Sequence, residues 1–457
     1  MAESKNAICL VIDGWQAGFA GPYGNSWIHT PAVNRLAAEG FVFDHALVDS
    51  PRLERLYRSF WRGVHAAVPD NRLPKGDGLA ARLANAGVST TLVTDERRVA
   101  EHPSAAEFRE IVRLEPSRAK RAAADIAGTQ LAEFFSQVLD RLEAADEPHL
   151  LWAHTSSLTS CWDAPSDYRE RYLERDDASG ADERAHLAAE IAALGSVGVA
   201  PPAGRYEPSP DPDELLALRR AYAAQVTVFD ACLSGLLEAL DQVPGAERTL
   251  VFVAGARGYP LGEHGHIGLE IDSQAQPNGN AVAGGDALHA ELVHVPWLWR
   301  LPDRQGALGR SQALVQPADC CATLADWWEV TDSFRANDER VGIAAGRSVL
   351  PVLLGDESTW RDRLLLTLDD QIALRTSSWY LRAIRKGPDR VTGDAHRQAV
   401  ELFVKPDDRW EQNEISNRCE AVAVTLVELA DEYSQALRTG EPAALSPLSA
   451  EVQAGVR

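Results

Sequence analysis

The chain has 457 residues, 45% of them hydrophobic, and carries 45 Lys and Arg against 67 Asp and Glu, a formal charge of −22. That apolar content at that length excludes a disordered chain and predicts a substantial core shared by two or three lobes. The acidic balance repels polyanions, which argues against nucleic acid or an anionic membrane as a partner; a small anionic ligand needs only a local cluster of positive charge.

The first element is AICLVI (7–12), a short apolar run ending at Asp13-Gly14 that reads as a strand. It is too short for a signal-peptide core, and no uninterrupted run of about eighteen apolar residues follows, so the expectation is a soluble cytoplasmic protein without a membrane span. Thr30-Pro31 then opens a helix, with Thr as cap and Pro at the first position, that stops at Gly40. A second helix is predicted from Ser50-Pro51, with Ser50 as its cap, and a third over 78–86, closed by Gly87. STTLV (89–93) and HLLWA (149–153) read as strands on either side of an amphipathic helix over 129–143. A long helix over 212–242 leads into the strand TLVFV (249–253).

This alternation predicts an α/β architecture, a mostly parallel sheet flanked by helices. Asp13, Asp95, His154 and the loop after Val253 fall at or just beyond the carboxyl ends of four strands, the edge on which such sheets build their sites. The stretch 176–212, charged and then rich in Pro, reads as an inserted loop, and 272–287 as another. From about 340 the pattern changes to LLLTL, IALRT, WYLRAI and ELFVK, followed by an amphipathic helix near 419–437. The expected organisation is therefore an α/β domain over 1–335 and a small α+β C-terminal subdomain with antiparallel strands over 336–457. The six cysteines (9, 161, 232, 320, 321, 419) include no CxxC and read as reduced, buried thiols.

Several segments, in order, resemble the sulfatase family of the alkaline phosphatase superfamily. They are NAICLVIDG, YGN, TPAVNRLAAEGFVFDHA and SPRLERLYRSFWRG, then LAARLANAGVSTTLVTD, LLWAH with WDAPSDYRERY, and TLVFVAGARGYPLGEHG. ELVHVPWLWRLP, GRSVLPVLLGD and ELFVKPDDRWEQNEIS complete the match. The resemblance implies a sulfatase-like fold. It also implies cleavage of sulfate esters by an aldehyde nucleophile, made from Cys or Ser in a C/S-x-P-x-R motif at a helix start, beside a calcium held by acidic residues.

Matched position by position, the nucleophile falls on Leu53, the motif's Pro on Arg55 and its Arg on Tyr57. The first metal-binding pair falls on Asp13-Gly14 and the later one on Ala256 and Arg257. The K-x-H pair falls on Asp95 and Arg97; His154 keeps its place, but the second histidine expected after it falls on Thr159.

The residues themselves point the same way. Leu53 has no lone pair, and with Leu56, Tyr57, Phe60 and Val64 it forms an apolar stripe at helical spacing. Arg52, Arg55, Arg58 and Arg62 line the opposite face, either an anion-binding ridge at the helix start or a solvated basic face paired with carboxylates. A calcium wants about six to eight oxygen ligands, and Asp13 is the single carboxylate left. No cofactor is expected, calcium belonging only to an active hydrolase, and Arg257 is expected to neutralise Asp13 in a buried ion pair.

His154 is the one surviving catalytic candidate, and Asp13, Arg55, Asp95, Arg257 and His294 are the pocket candidates. His264 and His266 lie in a segment (GEHGH) that is ordinary in this family. Ser50 is a cap or, in a shifted register, a nucleophile. Trp15, Trp27, Trp61, Trp152 and Trp162 either fill a vacated cleft or pack the core. The expected function is that of an inactive pseudosulfatase keeping its scaffold for a small anionic ligand or a protein partner, with a divergent hydrolase of sulfate or phosphate esters as the alternative.

Overall fold

The computed structural model describes residues 5–455 apart from 74–75, 116–118, 146–147, 174–180, 206–211, 244, 270–287, 331–343, 357–359, 385–398 and 441–444. The main sheet is built from β1 (Asn6–Asp13), β2 (Phe41–Ala46), β3 (Ser89–Thr94), β4 (Glu110–Arg113) and β5 (His149–Thr155). A two-residue β6 (Gly204–Arg205) lies outside it. β7 (Thr249–Arg257) rejoins it, β8 (His266–Ile267) pairs with β6 and bridges to Leu261, and β9 (Trp297–Arg300) and β10 (Gly309–Val315) complete it. The strand order is β10-β2-β9-β7-β1-β5-β3-β4. All neighbours run parallel except β9, which is antiparallel to both β2 and β7.

Helices cover both faces, so the central strands bury every residue and read as unbroken apolar runs. Side chains of β1 still alternate by the two-residue period of a strand. Cys9 and Val11 join the core beneath the helix Leu53–Arg62, whereas Ile8, Leu10 and Ile12 face the helices Gln130–Glu143 and Pro212–Leu240. Within the last of these, Asp213–Leu240 is long and apolar enough to pass for a membrane span, which qualifies the sequence expectation. Two thirds of its most apolar window (67%) is buried inside the protein, against α1 (Pro31–Glu39) and the Gln130–Glu143 helix among others.

Helix starts differ from expectation in their chemistry. Thr30 does not cap α1; its hydroxyl accepts from Gly21 N, and the exposed donors of Ala32 and Val33 go to the two carboxylate oxygens of Asp230, at 3.0 and 2.9 Å. Helix α2 (Leu53–Arg62) begins three residues after Ser50, whose hydroxyl accepts from Arg52 N at 3.4 Å. The inserted stretch 176–212 is not all loop: it contains a 16-residue helix, Ala181–Ser196, tied to the long helix by the buried pair Glu190–Arg220 at 2.7 Å. The predicted loop at 272–287 lies outside the described residues.

The C-terminal strands β11 (Arg363–Leu368), β12 (Gln371–Thr376), β13 (Trp379–Ile384) and β14 (Ala399–Val404) form an antiparallel sheet in sequence order, backed by the helix Glu420–Thr439. Val64 and Val68, just beyond α2, pack into its core, and Thr367 N donates to Asp49 O, so the small sheet is seated directly behind the α2 region.

Candidate functional site

β1 and β7 are parallel neighbours with Ile12 opposite Gly255, and a bulge then places Asp13 opposite Arg257. The bulge turns both side chains toward each other at the carboxyl edge of the sheet. Arg257 Nε donates to Asp13 Oδ1 at 2.8 Å and Nη2 to Oδ2 at 3.0 Å, while Nη1 donates to Pro51 O at 2.9 Å, just before α2. The two side chains are 2% and 1% exposed. Burial pushes the Asp13 carboxyl upward, but the charge and hydrogen bonds of Arg257 outweigh it and hold the group below its ordinary value.

These residues do not fit a dication. The guanidinium fork takes both oxygens of Asp13, Ala256 is buried without a donor atom, and Gly14 cannot be read as a lost ligand awaiting repair. Gly14 has φ +86°, and a Cβ there would lie 2.6 Å from the Thr159 methyl, so a side chain at this turn meets both backbone strain and a clash. Thr159 itself reaches Asp13 Oδ2 with its hydroxyl at 3.4 Å.

Leu53 is 1% exposed and packs with Leu56, Tyr57 and Phe60 in the core beneath the sheet. Tyr57, at the position of the family's arginine, sets its hydroxyl 2.5 Å from His154 Nδ1. His154 Nε2 is buried without a hydrogen-bond partner among the described residues. Burial pulls the imidazole down to about 4, so it is neutral at pH 7. Asp95 accepts from Thr155 Oγ1 and Ser156 N, both at 2.7 Å, and desolvation lifts it to about 6; it braces the end of β5 and makes no ion pair with Arg97, which pairs with Glu101 on an exposed surface.

The family profile described as Sulfatase matches residues 5–330. The chain belongs to the sulfatase family. No curated protein sequence matches it. Among solved structures it is similar to a protein in complex with its substrate D-glucosamine-2-N,6-O-disulfate, with a TM-score of 0.66 at 16% identity, over 96% of this chain and 99% of that one. It is also similar to phosphonate monoester hydrolases from Agrobacterium radiobacter (TM-score 0.65, 17% identity, 95% of each chain) and Silicibacter pomeroyi (0.67, 17%, 94% and 95%). Identities this low carry the fold alone.

On the sulfatase fold, the candidates separate into three places. Asp13, Arg257, His154 and Thr159 converge at the carboxyl edge. The basic face of α2 is not free to bind an anion there: Arg52 pairs with Asp369, Arg58 with Asp70 and Arg62 with Glu107, and Arg58 is buried rather than solvated. Arg55, a pocket candidate in the sequence, is exposed and donates to Ala66 O rather than joining the Asp13–Arg257 pair. His294 Nε2 donates to Asp44 O at 2.8 Å, and the ring lines a different cavity, one that shares no residue with the Asp13 cluster. Trp15, Trp61, Trp152 and Trp162 are fully buried in the cores, whereas Trp27 is 43% exposed.

Sequence reasoning missed a histidine cluster at the seam with the small sheet. The ligand atoms of His264, His289 and Glu291 lie within 4.8 Å of one another, which is close enough to hold a metal ion. Their partners make it a clasp instead. His289 Nε2 accepts from Arg382 Nη1 and its Nδ1 donates to Glu411 at 2.8 Å; His264 donates to Glu291 Oε1 at 2.8 Å and to Glu411 O at 3.0 Å. Burial alone would lower His264, but hydrogen bonds and charge from Glu291 and Glu411 lift it to about 9, so it is an imidazolium stacked on the neutral His289 ring at 3.5 Å. The cluster's histidines and Glu291 fall between residues 264 and 291, but the partners that make it a clasp, Arg382 and Glu411, come from the C-terminal part of the chain, so no local spacing announces it.

Proposed function

We propose that this protein is a pseudosulfatase: it keeps the sulfatase scaffold for ligand or partner binding and does not cleave sulfate esters. The observation that carries this reading is the buried, two-pronged Arg257–Asp13 pair, which fills the dication's place with a permanent cation of the protein's own. The buried, inert Leu53 at the nucleophile position supports it. Catalysis of ester cleavage there would need a nucleophile and charge-stabilising donors around the departing oxygens. Arg257 is spent on Asp13 and Pro51 O. Six free cysteines fit a reducing, cytoplasmic setting.

One observation favours the second reading, a divergent ester hydrolase: His154 is neutral and its Nε2 is unpaired beside Asp13, as a general base would be. The experiment that separates the two measures bound metal and turnover of nitrophenyl sulfate, a nitrophenyl phosphate and a phosphonate monoester with added calcium, manganese or zinc. The pseudosulfatase reading expects no stoichiometric metal and no turnover above the uncatalysed rate. Turnover abolished by Asp13→Ala or His154→Ala overturns it.

A further inference from the structure

Away from the Asp13 cluster, a cavity of about 460 Å³ opens where β2 and β9 part company and the small antiparallel sheet closes over them. Its volume is in the range of sites for small organic ligands, about 300–1,000 Å³. Four cations line it, Arg310, Arg375, Lys405 and Arg409, against two carboxylates, Asp44 and Glu411. In a protein of net charge −22 that surplus is a local reversal of sign.

The carboxylates are already matched. Asp44 pairs with Arg310 at 3.0 Å, and Glu411 pairs with Lys405 at 3.0 Å and with His289. Two guanidiniums are left over. Arg375 is 4% exposed; among the described residues Nη1 is its one engaged side-chain nitrogen, donating to the main-chain carbonyls of Thr376, Ser377 and Trp379, and no carboxylate lies within ion-pair distance of it. Arg409 is half-buried, stacks 5.0 Å over the Trp410 ring and likewise has no carboxylate partner among the described residues.

A buried guanidinium without an ion-pair partner is costly: burial pulls Arg375 down to about 10, and the charge of Glu411, already paired with Lys405 and His289, offsets this only in part. His45 and His294, which also line the cavity, are held neutral by burial, at about 4 and about 3, and so add no charge of their own at pH 7. The remaining walls are apolar or aromatic, including Leu47, Ala290 and the rings of Tyr23 and Tyr380, whose hydroxyls are already donated to main-chain carbonyls.

We infer that this cavity is a binding site for a small organic oxyanion, one carboxylate, phosphate or sulfate group held between Arg375 and Arg409 with a body of sugar size against the tyrosine rings. A planar fork suits such oxygens, and a charge-assisted hydrogen bond is strongest where its partner is desolvated. The site stands on its own residues and holds whether or not the chemistry at Asp13 is lost.

The test is calorimetric titration of the full chain at low salt with citrate, glucose 6-phosphate, glucose 6-sulfate and, for comparison, inorganic phosphate and sulfate. At least one organic anion is expected to bind with a Kd of about 1 mM or tighter. Arg409→Gln and Arg375→Gln should each weaken it about tenfold or more, and Arg55→Gln, which removes the same charge from an exposed residue that does not line the cavity, should leave it within about twofold. Arg409 is half-buried, so its variant remains informative if Arg375→Gln unfolds. Tighter binding of the inorganic ions than of every organic probe, failure of all probes to bind below about 10 mM, or equal weakening by Arg55→Gln overturns the inference. Binding is read here without turnover, so its failure is distinct from a failure of the pseudosulfatase reading.

Discussion

At the scale of single residues, the decisive substitution is a strand-end arginine facing one aspartate. A buried ion pair is a poor source of net stability, because desolvating two charges costs about as much as their attraction returns. Removing one partner is another matter, since it strands the other charge. Arg257→Met is therefore expected to lower unfolding free energy by about 3–5 kcal/mol in urea titration, and adding Asp13→Ala to it should recover much of that loss. A double variant no more stable than Arg257→Met alone would show that the arginine acts through packing and its bond to Pro51 O rather than through the pair. The pairing was readable in the sequence once positions 13 and 257 were set on adjacent strands. The Tyr57–His154 contact was not, because Tyr57 fitted an apolar stripe perfectly well as a hydrophobe.

At the scale of elements, local sequence rules placed the helices and missed their caps. The start of α1 satisfies the Thr-Pro pattern, yet Thr30 is drawn off by Gly21 and the open amides are served by Asp230, from the middle of the long helix. Such a cap couples two elements some two hundred residues apart, and it is invisible to any window along the chain. Asp230→Ala is expected to cost about 1–2 kcal/mol, whereas Thr30→Ala, judged by its lack of a capping bond, should cost less. The check is a pair of thermal or urea melts; the reverse order would restore Thr30 as the cap. Helix α2 carries the same lesson with the opposite sign. Its four arginines looked like a candidate anion ridge, and tertiary carboxylates at Asp369, Asp70 and Glu107 claim three of them.

Across the whole molecule, burial sets the pH response. His45, His102, His154 and His289 are held near 4 and His294 near 3, each chiefly by desolvation, so the folded state stays neutral where the unfolded chain, with histidines near 6.5, takes up protons. Proton uptake by the unfolded chain makes stability fall as the pH drops from about 6.5 toward 4. His264 has the reverse sign. Its folded value is raised to about 9, so its contribution is complete below about 6.5 and is lost as the pH rises through 9. After discounting for the solvent that reaches the ring, that contribution is on the order of 1–2 kcal/mol. Melting midpoints between pH 4 and 9 should therefore form a dome, and His264→Gln should flatten its alkaline limb while leaving the acid limb in place. An unchanged alkaline limb would mean that the clasp to Glu291 and Glu411 does not carry the charge assigned to it.

The sequence by itself determined the α/β alternation, the antiparallel tail and the family, because each of these rests on periodicity or on residue identity at a matched place. The residue identities from which the pseudosulfatase proposal starts, Leu53, Gly14, Ala256 and Arg257, are likewise legible without a structure. Only the tertiary structure decided how the candidate residues are arranged: that Arg257 and Asp13 meet with both prongs engaged, that Arg55 bonds to Ala66 O and that His294 belongs to another cavity. The cavity shared by Arg375 and Arg409 was beyond sequence reasoning for the same physical reason. Its walls come from both sheets and from segments between residues 21 and 411, and electrostatic pairing depends on separations of a few ångströms in space, which spacing along a chain does not encode.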